Sequence, residues 1–162
     1  MSGLTLSPLI GKSYSSIYGQ TAPSNKVKVA LIGCRSMGYG DLNTFLDYPE
    51  TECVALCDVD DEWLNKRAAD VEKKTGKKVP HLYKDWRRVI DNKDVDVVII
   101  GTPDHWHCLP TVWACQAGKD VYVEKPLSNT IEECNLMEKA ARKYNRIVQV
   151  GQWQRSDPHW DE

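Results

Sequence analysis

The sequence predicts an α/β fold built on a doubly wound parallel sheet, and three observations carry this prediction. Short runs of β-branched and aliphatic residues alternate with amphipathic helical segments from Lys26 onward, which is typical of a parallel sheet covered on both faces. A turn with two glycines, Gly33 and Gly38, follows the first run and leads into a helix, and Asp58 ends the second run. The length of 162 residues suits one domain. Together these features indicate a Rossmann-type domain.

Six runs predict the strands, and they lie at residues 27–32, 52–57, 81–83, 95–100, 120–123 and 147–150. The run at 95–100, with the sequence VDVVII, is the most apolar, which is typical of a central strand buried on both faces. Because a helical segment separates most of these runs, we expect crossover helices and parallel pairing throughout the sheet.

The helical segments are predicted at residues 36–47, 61–74, 85–90, 107–116 and 130–144. Pro49 closes the first of them, and Gly76 and Gly118 end the second and the fourth. The lysines that flank Gly76 are interpreted as a solvated helix end that complements the helix dipole. We therefore expect helices on both faces of the sheet.

The composition narrows the classes of partner. The formal net charge of -2 gives no electrostatic reason to expect nucleic acid or an anionic membrane surface. No apolar run is long enough to span a bilayer. The six cysteines are scattered, which favours buried thiols over a zinc site or a disulfide framework. We therefore expect no nucleic acid, no membrane span and no metal.

Residues 1–25 differ in composition from the rest of the chain. They are rich in Ser, Gly, Thr and Pro, and their short apolar stretch is interrupted by Pro8. Two interpretations stay open, a flexible extension and the remnant of an export signal. The compartment is accordingly open between the cytoplasm and, if an export signal is involved, the periplasm.

The turn after the first strand carries the first candidate site. Residues 33–38, GCRSMG, resemble the dinucleotide fingerprint G-x-G-x-x-G, with an arginine in place of the middle glycine. The residues predicted to contact a cofactor here are Gly33, Arg35, Ser36, Met37 and Gly38. Because the middle glycine normally lets the backbone approach the pyrophosphate, we expect either a differently bent loop or an Arg35 guanidinium that reaches a phosphate or stacks on adenine.

Asp58 strengthens the dinucleotide interpretation. It ends the second strand 20 residues after Gly38, where a carboxylate that accepts from ribose hydroxyls is expected. Its charge opposes a 2′-phosphate and favours NAD, whereas Arg35 in the first loop favours NADP. We expect NAD, with NADP as the less favoured cofactor. The alternative is that Asp58 caps the next helix, a role that Asp60 or its neighbour could also fill.

The turn after the central strand carries the second candidate site. Pro103 fixes the turn, and Thr102 can offer its hydroxyl and backbone to the cofactor. His105 and His107 have a spacing seen in metal sites, but no third ligand is evident. We expect one histidine to line the cofactor crevice and the other to cap or pack beneath the helix.

The third candidate site is Glu124-Lys125-Pro126, at the end of the fifth strand. Ligands of open α/β sheets bind outside the carboxyl ends of the strands, so these residues are predicted to lie near the reactive end of the cofactor. Lys125 is the predicted catalytic residue, because its ammonium can hydrogen-bond a substrate hydroxyl during hydride removal. The alternative is a surface Lys-Pro turn.

Four stretches of the chain, taken together, resemble one family. They are ALCD at 55–58, GTPDHWH at 101–107, AGKDVYVEKPL at 117–127 and GQWQRSDPH at 151–159. These stretches are similar to motifs of the glucose-fructose oxidoreductase, inositol dehydrogenase and rhizopine-catabolism (Gfo/Idh/MocA) oxidoreductases. The resemblance covers about residues 27–160.

The resemblance implies a bound NAD(P), Lys125 in the active site and a cis Lys125–Pro126 bond. It implies sugar or polyol substrates that are oxidised or reduced at a carbinol carbon, although some relatives use tightly held NAD for redox-assisted glycoside hydrolysis. The last stretch resembles the segment by which family members cross into their second domain. On that basis three further residues are expected beside the cofactor, Trp153, Gln154 and Arg155.

The resemblance also implies a second domain, an α/β substrate domain with the usual catalytic histidine, which we expect to lie outside these 162 residues. That domain normally covers the nicotinamide and often forms the oligomer interface, so homo-oligomers are expected of a full-length protein. Residues 26–151 are expected to form the NAD(P)-binding domain and residues 152–162 to begin the connection to the missing domain, with the fragment inactive alone. The alternatives are the cofactor domain of an NAD-dependent glycoside hydrolase, a stand-alone nucleotide-binding or regulatory module, and a structural domain that has lost cofactor binding.

Overall fold

Residues 26–156 form a six-stranded sheet in which every pair of neighbouring strands is parallel. The structure is a computed structural model and describes residues 26–156. The strands are β1 (Val27–Ile32), β2 (Thr51–Cys57), β3 (His81–Tyr83), β4 (Val97–Ile100), β5 (Asp120–Glu124) and β6 (Val148–Gly151). Their order is β3-β2-β1-β4-β5-β6, which confirms the predicted Rossmann-type sheet.

The described helices cover both faces of the sheet, as predicted. They are α1 (Ser36–Phe45), α2 (Asp61–Thr75), α3 (Trp86–Asp91), α4 (Cys108–Gln116) and α5 (Ile131–Lys143), with short 3₁₀ helices at Asp104–Trp106 and Trp153–Ser156. On one face, α1 and α2 cover a core that includes Leu31, Leu42 and Leu56. On the other face, α3, α4 and α5 cover a second core that includes Val98 and Met137. Burial of this apolar surface is the main force that holds the layers together.

Two element boundaries differ from the prediction by more than one residue. β4 begins at Val97 instead of residue 95, because Asp96 contacts β1 partly through its side chain, whose Oδ2 accepts from the Lys28 N–H at 2.8 Å. α1 ends at Phe45 instead of residue 47, because Leu46 is the C-cap and the chain turns there. Neither change moves a residue of the candidate site.

Three of the described helices have a side-chain N-cap. The Asp60 side chain accepts from the Glu62 and Trp63 N–H groups and caps α2. In the same way, Asp85 caps α3 and Thr130 caps α5. Asp60 therefore fills the role that was the alternative interpretation of Asp58.

The cysteines in the described part of the chain are all free thiols, and five of the six are buried. Within residues 26–156 no cluster of three or more His, Cys, Asp or Glu side chains could hold a metal ion. No helix among these residues is long and apolar enough to cross a membrane. The predicted extension at 1–25 lies outside the described residues, and so does the end of the predicted connection, residues 157–162.

Candidate functional site

Three glycines pack backbone against backbone where β1, α1 and β4 meet. A Cβ on Gly33 would lie 2.7 Å from the carbonyl of Gly101, and one on Gly38 would lie 2.3 Å from the carbonyl oxygen of Gly33. A Cβ on Gly101 would lie 2.3 Å from the Cα of Gly38. Gly33 also has a φ of +89°, which side chains other than glycine rarely adopt. These contacts hold the start of α1 directly against the ends of two central strands.

Gly101 was not among the predicted site residues, although it does the same work as the two glycines of the turn. Its sequence signal was a glycine placed directly after the most apolar strand. The sequence does not show which helix crosses the end of that strand, so this signal did not distinguish Gly101 from an ordinary turn glycine.

The start of α1 carries no side-chain cap among the described residues. Arg35 occupies the N-cap position with extended backbone and makes no capping bond, and the first turn holds no acidic residue. The free N–H groups of a first turn, here those around Ser36 and Met37, together with the helix dipole favour an anion. The predicted phosphate contacts are therefore at an open helix N-terminus.

Asp58 ties the glycine turn to the end of β2. Its Oδ2 accepts from the Cys34 N–H at 2.7 Å and its Oδ1 accepts from the Asp60 N–H at 2.9 Å. The side chain is only 9% exposed, yet it lines the cavity described below. Because a carboxylate has about four lone-pair sites, two of them remain for ribose hydroxyls.

The Arg35 side chain extends toward Asp60 and forms an ion pair with its carboxylate. This hydrogen bond, with help from the α2 backbone, lowers the pKa of Asp60. The guanidinium carbon also lies 5.6 Å from the ring centre of Trp63. The Arg35 backbone is extended, but Ser36 directly after it has a φ of +28°, which residues other than glycine rarely adopt, so the turn bends unusually at the position that follows the arginine.

A cavity of about 740 Å³ opens beside the glycine turn. It lies over the carboxyl ends of β1 and β4, the point at which the strand order reverses and at which ligands of such sheets bind. The predicted site residues that line it are Gly33, Arg35, Asp58, Thr102, Pro103 and His105. Residues that the sequence did not single out line it too, among them Lys84, Trp86, Arg87 and Trp106.

The turn after β4 places its residues differently with respect to the cavity. Thr102 lines it, and the buried Thr102 Oγ1 has no hydrogen-bond partner in the described part of the chain. His105 also lines the cavity and is exposed. His107 does not reach it: the imidazole is 1% exposed, and its ring nitrogens lie 2.7 Å from the carbonyl oxygens of Thr102 and Pro126. One histidine thus lines the crevice and the other packs beneath it.

The Glu124-Lys125-Pro126 stretch lies at the neighbouring strand end, outside the cavity lining. The Lys125–Pro126 bond is cis and Lys125 is exposed. Glu124 is 4% exposed; its Oε2 accepts from the Lys125 N–H at 3.1 Å, and its Oε1 has no partner among the described residues. Trp153, Gln154 and Arg155 are exposed on the 3₁₀ helix that follows β6.

Asp41 on α1 is a half-buried acid that sequence reasoning missed. Burial, and then the charge of Glu124, raise its pKa to about 7. The pKa of the Tyr122 phenol is raised as well, by burial and by both acids. No local pattern marked Asp41, because its partner comes 83 residues later in the sequence.

Comparison with known proteins agrees with this geometry. A family model described as an oxidoreductase family with an NAD-binding Rossmann fold (GFO_IDH_MocA) matches residues 27–152. A curated relative, glycosyl hydrolase family 109 protein 1 of Shewanella sp. (strain ANA-3), is 31% identical over 149 residues, or 88% of this chain and 32% of that protein. The chain thus spans about a third of the length of the curated relatives it matches.

Solved structures give the same assignment. An NAD binding oxidoreductase from Klebsiella pneumoniae is 30% identical with a TM-score of 0.67, over 78% of this chain and 34% of that chain. A myo-inositol 2-dehydrogenase from Lactobacillus plantarum is 26% identical with a TM-score of 0.73, over 84% of this chain and 39% of that chain. The family match, the strand order and the glycine turn together show that the chain belongs to the Gfo/Idh/MocA oxidoreductase family and has its NAD-binding Rossmann fold.

Proposed function

We propose that the chain is the cofactor-binding part of an oxidoreductase that transfers a hydride between NAD and a hydroxyl-bearing carbon of a sugar or polyol. The observation that carries the proposal is the close backbone packing of Gly33, Gly38 and Gly101 beneath the uncapped start of α1. Such packing leaves main-chain N–H groups open to an anionic group beside a cavity of suitable size for a cofactor.

The residues present fit a dinucleotide along the cavity. The N–H groups of the first turn of α1 would hold the pyrophosphate. Asp58 would accept from ribose hydroxyls with its two remaining lone-pair sites. The unpartnered Thr102 Oγ1 would gain the hydrogen bond that it lacks within the described chain.

The charges around the cavity favour NAD over NADP. Three cationic side chains line it, and each is already paired with an aspartate: Arg35 with Asp60, Lys84 with Asp61, and Arg87 with Asp85. A 2′-phosphate would need to break one of these pairs and would also approach Asp58. We therefore expect tighter binding of NAD.

Lys125 is the proposed catalytic residue. When bound, NAD supplies the hydride acceptor or donor at its nicotinamide. The exposed Lys125 ammonium, held at the end of β5 by the Glu124 contact to its backbone, would donate a hydrogen bond to the substrate oxygen and stabilise negative charge that develops there. The sugar or polyol class rests on the family and on the relative named myo-inositol 2-dehydrogenase. We expect little or no turnover by the 162-residue chain alone, because its relatives are about three times as long.

A second candidate function is the cofactor domain of a glycoside hydrolase that uses NAD. The observation in its favour is the name of the curated relatives, glycosyl hydrolase family 109, at 30–33% identity. The two functions differ in net reaction. A longer chain that contains these residues should release sugar from an aryl glycoside without net NADH if it is a hydrolase, and should form NADH from a polyol if it is a dehydrogenase.

Calorimetric titration of the chain with NAD and NADP tests the cofactor proposal. We expect NAD to bind more tightly, Asp58→Ala to weaken NAD, and Arg35→Gly to alter NADP binding more than NAD binding. Asp94→Ala, at an exposed carboxylate paired with Lys28 and outside the cavity lining, is the matched control. Tighter binding of NADP that depends on Arg35 would reverse the cofactor preference, and binding of neither nucleotide by a folded chain would contradict the proposal.

A further inference from the structure

The buried imidazole of His107 joins two turns that are otherwise separate. Its Nε2 lies 2.7 Å from the Thr102 carbonyl oxygen, and its Nδ1 lies 2.7 Å from the Pro126 carbonyl oxygen. Both partners are main-chain carbonyls, which only accept, and each tautomer of a neutral imidazole has one N–H, so the neutral ring donates to one of the two carbonyls and its other nitrogen lies against the second. At 1% exposure, water does not compete for these contacts.

These two turns carry the two halves of the candidate site. Thr102 follows β4 and lines the cavity, whereas Pro126 directly follows Lys125 after β5. The ladder between the two strands ends at the pair Ile100 and Val123. Beyond that pair, the contact of the His107 Nδ1 with the Pro126 carbonyl is the hydrogen bond that links the two turns within the described chain.

The backbone of His107 is itself held in place. The His107 N–H donates to the Asp104 carbonyl at 3.0 Å, and the buried Thr111 hydroxyl donates to the His107 carbonyl at 2.7 Å. The ring therefore projects from a fixed point at the start of α4. A rigid ring between two carbonyls sets the separation of the two turns, which an apolar side chain of similar size would not do.

We propose that His107 is a positioning residue, which holds the Lys125 turn at a fixed distance from the cofactor-lining Thr102 turn. The inference rests on the proposed role of Lys125 beside the nicotinamide. His107 would touch neither cofactor nor substrate and would act through the Pro126 carbonyl. Loss of the ring N–H would release the Lys125 turn while the glycine turn and Asp58 continue to hold the rest of the dinucleotide.

The test compares three substitutions of His107 in the 162-residue chain. His107→Leu removes the ring N–H at similar volume, whereas the side-chain amides of His107→Gln and His107→Asn keep an N–H donor near one of the ring positions. His81→Leu on β3, which is outside the cavity lining, is the control for loss of a histidine. The readout is the rate at which a small acylating reagent modifies the Lys125 amine with and without saturating NAD, read by mass spectrometry, with NAD affinity measured in parallel.

In the unaltered chain and in His81→Leu, we expect NAD to slow acylation of Lys125 about fivefold or more, the effect of one positioned contact. In His107→Leu we expect this protection to fall below about twofold while NAD affinity changes by less than about threefold. At least one of the Gln and Asn variants should restore protection. A purely structural role would not produce rescue by a donor of different shape.

Four outcomes would overturn the inference, and they are distinguishable from a failure of NAD to bind. Full protection in His107→Leu, or Gln and Asn variants no better than Leu, would show that the ring does not position Lys125. Binding of NAD without protection of Lys125 in the unaltered chain would refute the proposed place of Lys125 and the inference with it. If NAD does not bind at all, the proposed cofactor role fails. The His107 hydrogen bond is then tested by NMR, and a His107 ring N–H that exchanges with water as fast as that of the exposed His105 would refute it.

Discussion

Replacing Gly38 by alanine should damage both the fold and the cofactor site. The new Cβ would lie 2.3 Å from the Gly33 carbonyl oxygen and 3.0 Å from the Gly101 Cα. The helix would need to move by roughly 1 Å to restore ordinary contact, and overpacking of this kind costs about 1–3 kcal/mol. Alanine recovers about 0.5–1 kcal/mol because it favours helix more than glycine does. At the middle of these two ranges, the net loss of unfolding free energy is about 1–2 kcal/mol.

Gly40 on the same helix provides the matched control. It is exposed, its φ is not positive, and a Cβ there would meet nothing within 4 Å. Gly40→Ala should therefore raise the unfolding free energy by about 0.5–1 kcal/mol. Urea unfolding measures both variants, and in thermal unfolding the loss in Gly38→Ala corresponds to roughly 2–8 °C. Gly38→Ala should also weaken NAD, because the displaced helix start no longer presents its N–H groups at the same point. Equal stabilities of the two variants would refute the packing argument.

Two further predictions concern titratable groups. Because the pKa of Asp41 is raised from 3.8 to about 7, the folded protein holds this proton more tightly than the unfolded chain, so its contribution to stability is complete below pH 3.8 and is lost as the pH rises toward 7. Asp41→Asn should flatten the fall in urea midpoint over that range, and an unchanged slope would contradict the assignment. Burial raises the pKa of Cys53 and Cys57 to about 12 and also raises the pKa of Cys34. In the folded chain a maleimide should therefore label the half-buried Cys134 before any of these three thiols. Peptide mass spectrometry that finds Cys34 labelled first would refute this prediction.

The alternation of strands and helices in the sequence was enough to predict the fold, because each element has its own local pattern. A few adjacent residues were enough to predict the apolar strand β4 and the end of α2 at Gly76. The exact start of β4 was not predictable in this way. It depends on whether Asp96 pairs with β1 through its backbone or its side chain, which is decided by a residue 68 positions away.

The site was predictable where it follows strand ends and not where it depends on facing elements. Asp58 and Thr102 were found because each comes directly after a strand. Gly101 and Asp41 were missed because their importance comes from α1 and Glu124, which are distant in sequence. The sequence likewise left open which histidine would line the cavity, a choice that the position of α4 makes by burying His107.

The arginine within the glycine turn is compatible with the close backbone packing of the three glycines. The positions that cannot accept a Cβ are Gly33, Gly38 and Gly101, and none of them is the middle position of the fingerprint. Arg35 has an extended backbone and a side chain that is 60% exposed, so the turn accommodates a side chain there, with an unusual φ of +28° at the next residue, Ser36. What the arginine changes is the electrostatics at the mouth of the cavity, and Asp60 offsets its charge. The departure from the fingerprint therefore bears on which dinucleotide binds, and the close contact between α1 and the strand ends is retained without the middle glycine.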